Sequence, residues 1–252
     1  MAENISVTIL TKNSEKHLRE CLHALRSFDE ILVLDNGSTD NSLQIAKSFP
    51  NVKVIEHEFI GFGPLKRLAA REASNDWIFS IDSDEIMTEE LADEIRHLEL
   101  EKDTVYSVKR DNYYHHEKIT CCGWANDRVN RLFNRQKTGF DEKLVHESVM
   151  TGNGIQIKKL LGTLDHYTFD DASHLIEKMD HYSSLWANDN RGKKKSSPLK
   201  AFLRGVFTFF KSYILQKGFL YGGSGLVISV SHANGAFYKY MKLYEANSRN
   251  NL

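Results

Sequence analysis

Short apolar runs alternate with segments of helical period along the first ninety or so residues, and this alternation sets the expected fold. Ile5–Leu10 (ISVTIL) reads as a buried strand and runs into polar Thr11-Lys12-Asn13. Ser14 is placed to cap a helix in which Leu18, Cys21, Leu22 and Leu25 recur at helical spacing. Glu30–Leu34 is a second strand; it enters a turn, Asp35-Asn36-Gly37-Ser38-Thr39-Asp40, from which Asp40 or Asn41 can cap a helix over Ser42–Phe49. Val52–Glu56 is a third strand. Gly61-Phe62-Gly63-Pro64 is a loop that puts Pro64 at the first position of a helix over Leu65–Ala73. Trp77–Ser80 opens a fourth strand, which ends in Asp82-Ser83-Asp84-Glu85. Such strand–helix alternation predicts an α/β domain on a doubly wound, mostly parallel sheet.

Beyond the helix around Glu89–Leu98 the pattern turns strand-like, with Val105–Lys109 and Val129–Phe133 as candidate strands. Asn112–Thr120, with Tyr113, Tyr114, His115 and His116, suits either a substrate wall or an exposed loop. Gly139–Val149 carries Asp141, Glu142, His146 and Glu147, and Leu164–Phe169 carries His166. Helices are predicted over Ala172–Asn188, over Leu199–Lys217 behind a Ser197-Pro198 start, and over Ser224–Tyr244 behind a glycine-rich entry. The expected organisation is an α/β domain over 1–170, with halves at about 1–100 and 101–170, followed by a helical extension over 171–252.

Composition is that of an ordinary globular chain: 252 residues, 41% hydrophobic and 27% charged. Three cysteines, two of them adjacent and none in a C-x-x-C pair, argue against a disulfide framework or zinc cage and fit a reducing cytoplasm. No basic, apolar leader opens the chain and no uncharged run reaches membrane-spanning length. The net charge of −1 conceals an asymmetry, because from residue 190 onward eleven Lys and Arg face one acid, Glu245. In the helix over Leu199–Lys217 a basic stripe (Lys200, Arg204, Lys211) sits in an otherwise apolar surface. That is the pattern of a helix lying on an anionic membrane, or of a core helix whose lysines reach solvent.

Acids at the carboxyl end of a buried strand need a positive partner, and ligands of open α/β sheets bind beyond those strand ends. Carboxylates there suit Mg²⁺ or Mn²⁺ accompanied by substrate phosphates. The competing reading is an acidic loop leading into the helix that begins at Thr88-Glu89-Glu90. Thr11, Asp35 and Asp82–Asp84 should all line one crevice, which favours a metal-diphosphate site. No G-x-G-x-x-G follows the first strand and no P-loop is present. Nucleic-acid binding is disfavoured because the basic residues of the tail are mixed with Phe and Leu.

SVTILTKN, LVLDNGSTD, GFGPLKRLAA and WIFSIDSDE together resemble the inverting glycosyltransferases of family two, which have the GT-A fold. The VHE segment, the LDH segment and the tail YILQKGFLYGGSGL are most similar to the bacterial lipopolysaccharide or lipooligosaccharide inner-core β-1,4-glucosyltransferases. The resemblance implies a UDP-sugar donor, UDP-glucose above all, a divalent metal (Mg²⁺ or Mn²⁺) and a lipid-linked heptose acceptor. It also implies work at the inner face of the inner membrane. It assigns Asp35 to the uracil ring, Thr11 to the nucleotide pocket, Lys66 to the donor phosphates, Asp82 and Ser83 to the donor near its ribose, and Asp84 and His166 to the metal. Glu147 is the implied general base. Read without the family, Asp35 is also a turn former, Asp141 and Glu142 are alternative bases, and His166 is also a core histidine. Arg67 and Tyr221 depart from the family pattern, at the phosphate contacts and in the acceptor-side tail. Two other classes compete: a sugar nucleotidyltransferase, and a peripheral membrane protein without activity.

Overall fold

The structure is a computed structural model and describes residues 4–143, 147–152 and 154–248. It divides into two compact units, one of residues 1–111 and 127–167, the other of residues 112–126 and 168–252.

The first unit begins as the alternation predicts: β1 (Ile5–Thr11), α1 (Glu15–Ala24), β2 (Glu30–Asp35), α2 (Ser42–Lys47), β3 (Val52–Glu56), α3 (Phe62–Glu72) and β4 (Trp77–Asp82). β1 pairs in parallel with β2 and β4, and β2 with β3. Alternate residues of each strand face opposite layers. Ile31 and Val33 pack with Leu18, Leu22 and Ile45 of α1 and α2, whereas Leu32 and Leu34 pack with Leu65 and Ala69 of α3. After β4 come β5 (Glu85–Met87), α4 (Glu89–Arg96), β6 (Thr104–Tyr114), β7 (Glu117–Lys118), β8 (Arg128–Asn134) and β9 (Gln156–Phe169). The strand order is β3-β2-β1-β4-β8-β6-β9-β5, with β7 on β6.

The sheet is mixed, not mostly parallel. β4–β8, β6–β8 and β5–β9 are antiparallel. Parallel pairing needs a long crossover, usually a helix, and among the described residues no helix lies between α4 and residue 172.

Local starts also differ from expectation in two places. Gly61, at φ 108°, lets α3 begin at Phe62, so Pro64 is its third residue. Ser14 makes no side-chain cap; its hydroxyl meets Ser83 Oγ at 2.8 Å, and Asp40 instead accepts from Glu15 N (3.1 Å) and Ser42 N (2.9 Å).

The second unit is built on α5 (Ala172–Asn190), α6 (Pro198–Phe210), a π-helical turn at Lys211–Leu215, a 3-10 turn at Gly218–Tyr221 and α7 (Gly222–Ser248). Ser197 accepts from Lys200 N and Pro198 opens α6, as predicted. The helix predicted to reach Lys217 changes to π geometry after Phe210. Among the described residues no helix is long and apolar enough to cross a membrane. All three cysteines are buried free thiols.

Within this unit Trp124 Nε1 donates to His232 Nε2 at 3.4 Å, leaving the ring proton on Nδ1, 3.4 Å from Ser212 Oγ. Burial pushes the His232 pKa down. The unfolded chain therefore takes up this proton first, and the stability held above the ordinary value of about 6.5 is lost as pH falls through the lower folded value. His232→Asn should lower Tm at pH 8, and its deficit against wild type should shrink as pH drops towards 5. A deficit independent of pH would show that His232 is not buried as a neutral ring.

Candidate active site

The carboxyl ends of β1, β2 and β4 lie side by side. Thr11 is in register with Asp35, and Leu10 with Asp82. Asp35 is buried, and its Oδ1 accepts from Gly37 N (3.0 Å) and Ser38 N (2.9 Å), while Oδ2 accepts from the Ser38 hydroxyl. The aspartate therefore shapes its own turn as well as standing at the strand end. Thr11 Oγ1 is buried with no hydrogen-bond partner among the described residues.

Beyond β4 the acids do have positive partners, and these are side chains of the same unit. Lys66, buried on α3, places Nζ 2.9 Å from Asp82 Oδ1 and 2.8 Å from Glu147 Oε1. Arg131, buried on β8, contacts Asp82 Oδ2 at 2.6 Å and also Glu85. Glu85 Oε2 accepts from Asp82 N at 2.9 Å, and Arg110 connects Glu85 to Asp127. Burial alone would raise the Asp82 pKa, but the Arg131 and Lys66 charges outweigh it and hold the carboxyl well below the usual carboxylate range. The same acids raise the Arg131 pKa against its own desolvation.

Ser83 and Asp84 form the turn into β5. Because β5 pairs with β9, Glu85 stands opposite His166, and Tyr167 N donates to the Asp84 carbonyl at 2.9 Å. This brings Asp84 Oδ1 to 3.7 Å from His166 Nε2. Burial lowers the His166 pKa while the Asp84 charge acts the other way, so the ring carries a lone pair near neutral pH. Two donors each about 2.1 Å from one ion can stand at most about 4.2 Å apart. The 3.7 Å separation lies within that limit but is wider than the roughly 3.0 Å between neighbouring octahedral positions, so a shared Mg²⁺ or Mn²⁺ would have to draw the two side chains together. Among the described residues no cluster of three His, Cys, Asp or Glu is placed to hold a metal.

The structure therefore gathers Lys66, Asp82 and Glu147 at one point and Asp84 with His166 at another, with Ser83 and Asp84 the residues between them along the turn. Thr11 and Asp35 occupy the neighbouring strand ends. Of the other acids, Glu142 pairs with Arg67 in solvent and Asp141 is tied to Lys143 and Ser148 within its loop. Of the VHE segment only Glu147 falls inside the described residues; His146 lies outside them. Sequence reasoning missed Arg131 and Arg110; it counted Glu85 among the strand-end acids that need a positive partner but gave it no role. A charge in the centre of the strand run VNRLF was the available signal for Arg131.

Removing Arg131 leaves Asp82 and Glu85 facing each other without their shared cation. Arg131→Met should cost about 3–5 kcal/mol of stability, read from denaturant unfolding; a loss below 1 kcal/mol would contradict the buried pairing. Gly63 tests the backbone beneath the site. A Cβ there would overlap the Asp141 carbonyl and stand 2.6 Å from that of Lys143. Gly63→Ala should therefore displace the segment leading to Glu147 and lower turnover by about 10²-fold, since misplacements of roughly 1 Å cost that much. Unchanged turnover would mean that the segment yields freely.

The family model for Glycosyl transferase family 2 matches residues 6–155. An uncharacterized glycosyltransferase of Rickettsia typhi is 29% identical over 257 residues, covering 96% of this chain and 87% of its own. The lipopolysaccharide core biosynthesis glycosyltransferase LpsC of Rhizobium meliloti is 25% identical over 252 residues, covering 96% and 92%. Among solved structures, S. aureus TarS in complex with UDP is 16% identical with a TM-score of 0.46, covering 98% of this chain and 91% of its own. The chain belongs to glycosyl transferase family 2: it is a glycosyltransferase built on a mixed α/β sheet.

Proposed function

We propose that the protein is an inverting, divalent-metal-dependent transferase that moves glucose from UDP-glucose to an inner-core heptose of lipopolysaccharide or lipooligosaccharide. The observation that carries this reading is the pair of functional groups at the strand ends: Glu147 held on Lys66, and Asp84 facing His166. Asp35 and Thr11 hold the uracil side of the donor, the unpartnered Thr11 hydroxyl being free to bond it. Asp82 and Ser83 lie towards the ribose, and Lys66 towards the diphosphate.

At Asp84 and His166, the chemistry supplied by a bound Mg²⁺ or Mn²⁺ is stabilisation of the negative charge on the departing diphosphate. Glu147 does the proton work. Its 2.8 Å contact with Lys66 fixes the position of the carboxylate beside the strand-end acids. The acceptor hydroxyl gives its proton to Glu147 as its oxygen attacks the anomeric carbon. The bond from that carbon to the phosphate oxygen breaks, and its electron pair leaves with UDP. Attack from the opposite face turns an α-linked donor into a β-linked product. Asp141 and Glu142 suit the role less well, because their partners are Lys143, Ser148 and Arg67 instead of a group of the strand-end cluster. The LpsC relative, whose name places it in lipopolysaccharide core biosynthesis, supports the choice of acceptor. An acceptor of that kind is lipid-linked, and the basic helices of the tail would keep the enzyme peripheral on the inner face of the inner membrane.

The test is UDP release from a panel of UDP-sugars, with truncated core lipopolysaccharide as acceptor and either Mn²⁺ or Mg²⁺ present. Release from UDP-glucose should disappear with EDTA and in Asp84→Ala, and Glu147→Gln should be slower by about 10²–10⁴-fold. Release from a different sugar would replace glucose. Full activity in Glu147→Gln would remove it as the base.

A further inference from the structure

Helix α6 presents its large side chains outward. Its buried residues are Ala201 and Gly205, and a Cβ at Gly205 would already stand 3.2 Å from Phe237, so small residues form the packed face. Leu199, Phe202, Leu203, Phe207 and Phe210 are each more than half exposed. Water-soluble helices normally show the reverse order, and an apolar surface of this extent marks an interaction site.

Beside this face lies a concentration of positive charge. Trp186 of α5 and Tyr240 of α7 meet edge to face, 5.1 Å between centroids. Lys194 and Lys239 stand 5.2 and 5.0 Å from the Trp186 centroid; Lys200 and Arg204 stand 5.1 and 5.8 Å from that of Tyr240. None of the four is ion-paired to a carboxylate among the described residues; Lys200 Nζ bonds only the Lys195 carbonyl. Four like charges held against two rings repel one another, and an anion placed among them relieves that repulsion. Lys200 and Arg204 also line a groove of about 490 Å³ with Ser197, Leu199, Leu203 and Phe207, so the cations and the apolar face are continuous.

We propose that this face docks on an anionic bilayer, with α6 lying in its plane and lipid headgroup phosphates held among Lys194, Lys200, Arg204 and Lys239. The inference deepens the peripheral-membrane part of the function proposed above and rests on it for the location of the acceptor. A bilayer is favoured over a protein partner because it offers both chemistries in the order in which the helix presents them: acyl chains for the Leu and Phe side chains, and a dense layer of phosphate above them for the cations. Thirteen residues of α6 reach about 20 Å, short of the roughly 30 Å hydrocarbon core, so the helix rests on the membrane instead of crossing it.

Co-sedimentation of the full chain with vesicles tests this, comparing phosphatidylcholine alone with phosphatidylcholine plus phosphatidylglycerol. Wild type should bind the anionic vesicles much the more tightly. Lys200→Ala with Arg204→Ala should weaken that binding by about thirty-fold, and Phe202→Ser with Phe207→Ser should abolish it. All four side chains are exposed, so Tm should not move. Equal binding of wild type to neutral and anionic vesicles would overturn the proposal, as would wild-type affinity in the charge variant. Dimers that dissociate in the Phe variant, without vesicle binding by wild type, would overturn it in favour of a second copy as the occupant. UDP release in the absence of vesicles separates the two proposals. Lost vesicle binding with intact turnover counts against the docking face alone, and intact vesicle binding without turnover from any donor counts against the proposed transfer reaction alone.

Discussion

The ion pairs of Arg131 are the interaction on which the first unit depends. Its guanidinium sits inside the sheet between Asp82 and Glu85. Burying a lone charge costs several kcal/mol even after relaxation; here Arg131 and Glu85 are buried together beside a half-buried Asp82, and the buried charges are tolerable only because of their partners. The consequence is geometric. β8 must lie against β4 with Arg131 on the crevice side, and the turn after Asp82 must bring Glu85 back under the same guanidinium. Lys66 extends the arrangement to α3 and to Glu147, so four segments distant in sequence meet through two cations.

The parallel half of the fold was legible because β1, β2 and β3 are each followed by their own helix and the two periodicities alternate cleanly. The three strand ends could therefore be placed on one edge before any coordinates, and Thr11, Asp35 and Asp82 do lie there. The antiparallel half was not legible in the same way. Its pairings join segments separated by long, irregular stretches, such as Glu85 with His166, and nothing local announces them. The same limit hid the partners of the acids. Lys66 could be read as a group for an incoming phosphate, but its contact with Glu147 spans a large gap in the chain and rests on the sheet already being formed. Arg131 was obscured by its surroundings, since in VNRLF a single charge suits an exposed position of an edge strand as well as a buried one.

The tail shows a different kind of ambiguity. Hydrophobic periodicity reports that a helix has an apolar side without saying what that side touches. For α6 both a core and a membrane surface satisfied the pattern. The core reading fails for the large side chains: the side packed on α7 carries Ala201 and Gly205, and the bulk of the apolar volume is left outside. A stripe of small residues opposite a stripe of large ones is visible in sequence, but it becomes informative only when the neighbouring helix shows which stripe is covered.

The link between β4 and β5 is two residues long, Ser83 and Asp84. On its two sides stand Asp82, tied to Lys66 and Arg131, and Glu85, tied to Arg131 and set opposite His166. A chain with no slack at this point is constrained in length as strictly as in composition. One inserted residue would turn Glu85 to the other face of its strand and carry Asp84 out of reach of the histidine. Descendants of this sequence are thus free to grow or shrink in the exposed loops, while the spacing from Asp82 to Glu85 has to be inherited unchanged.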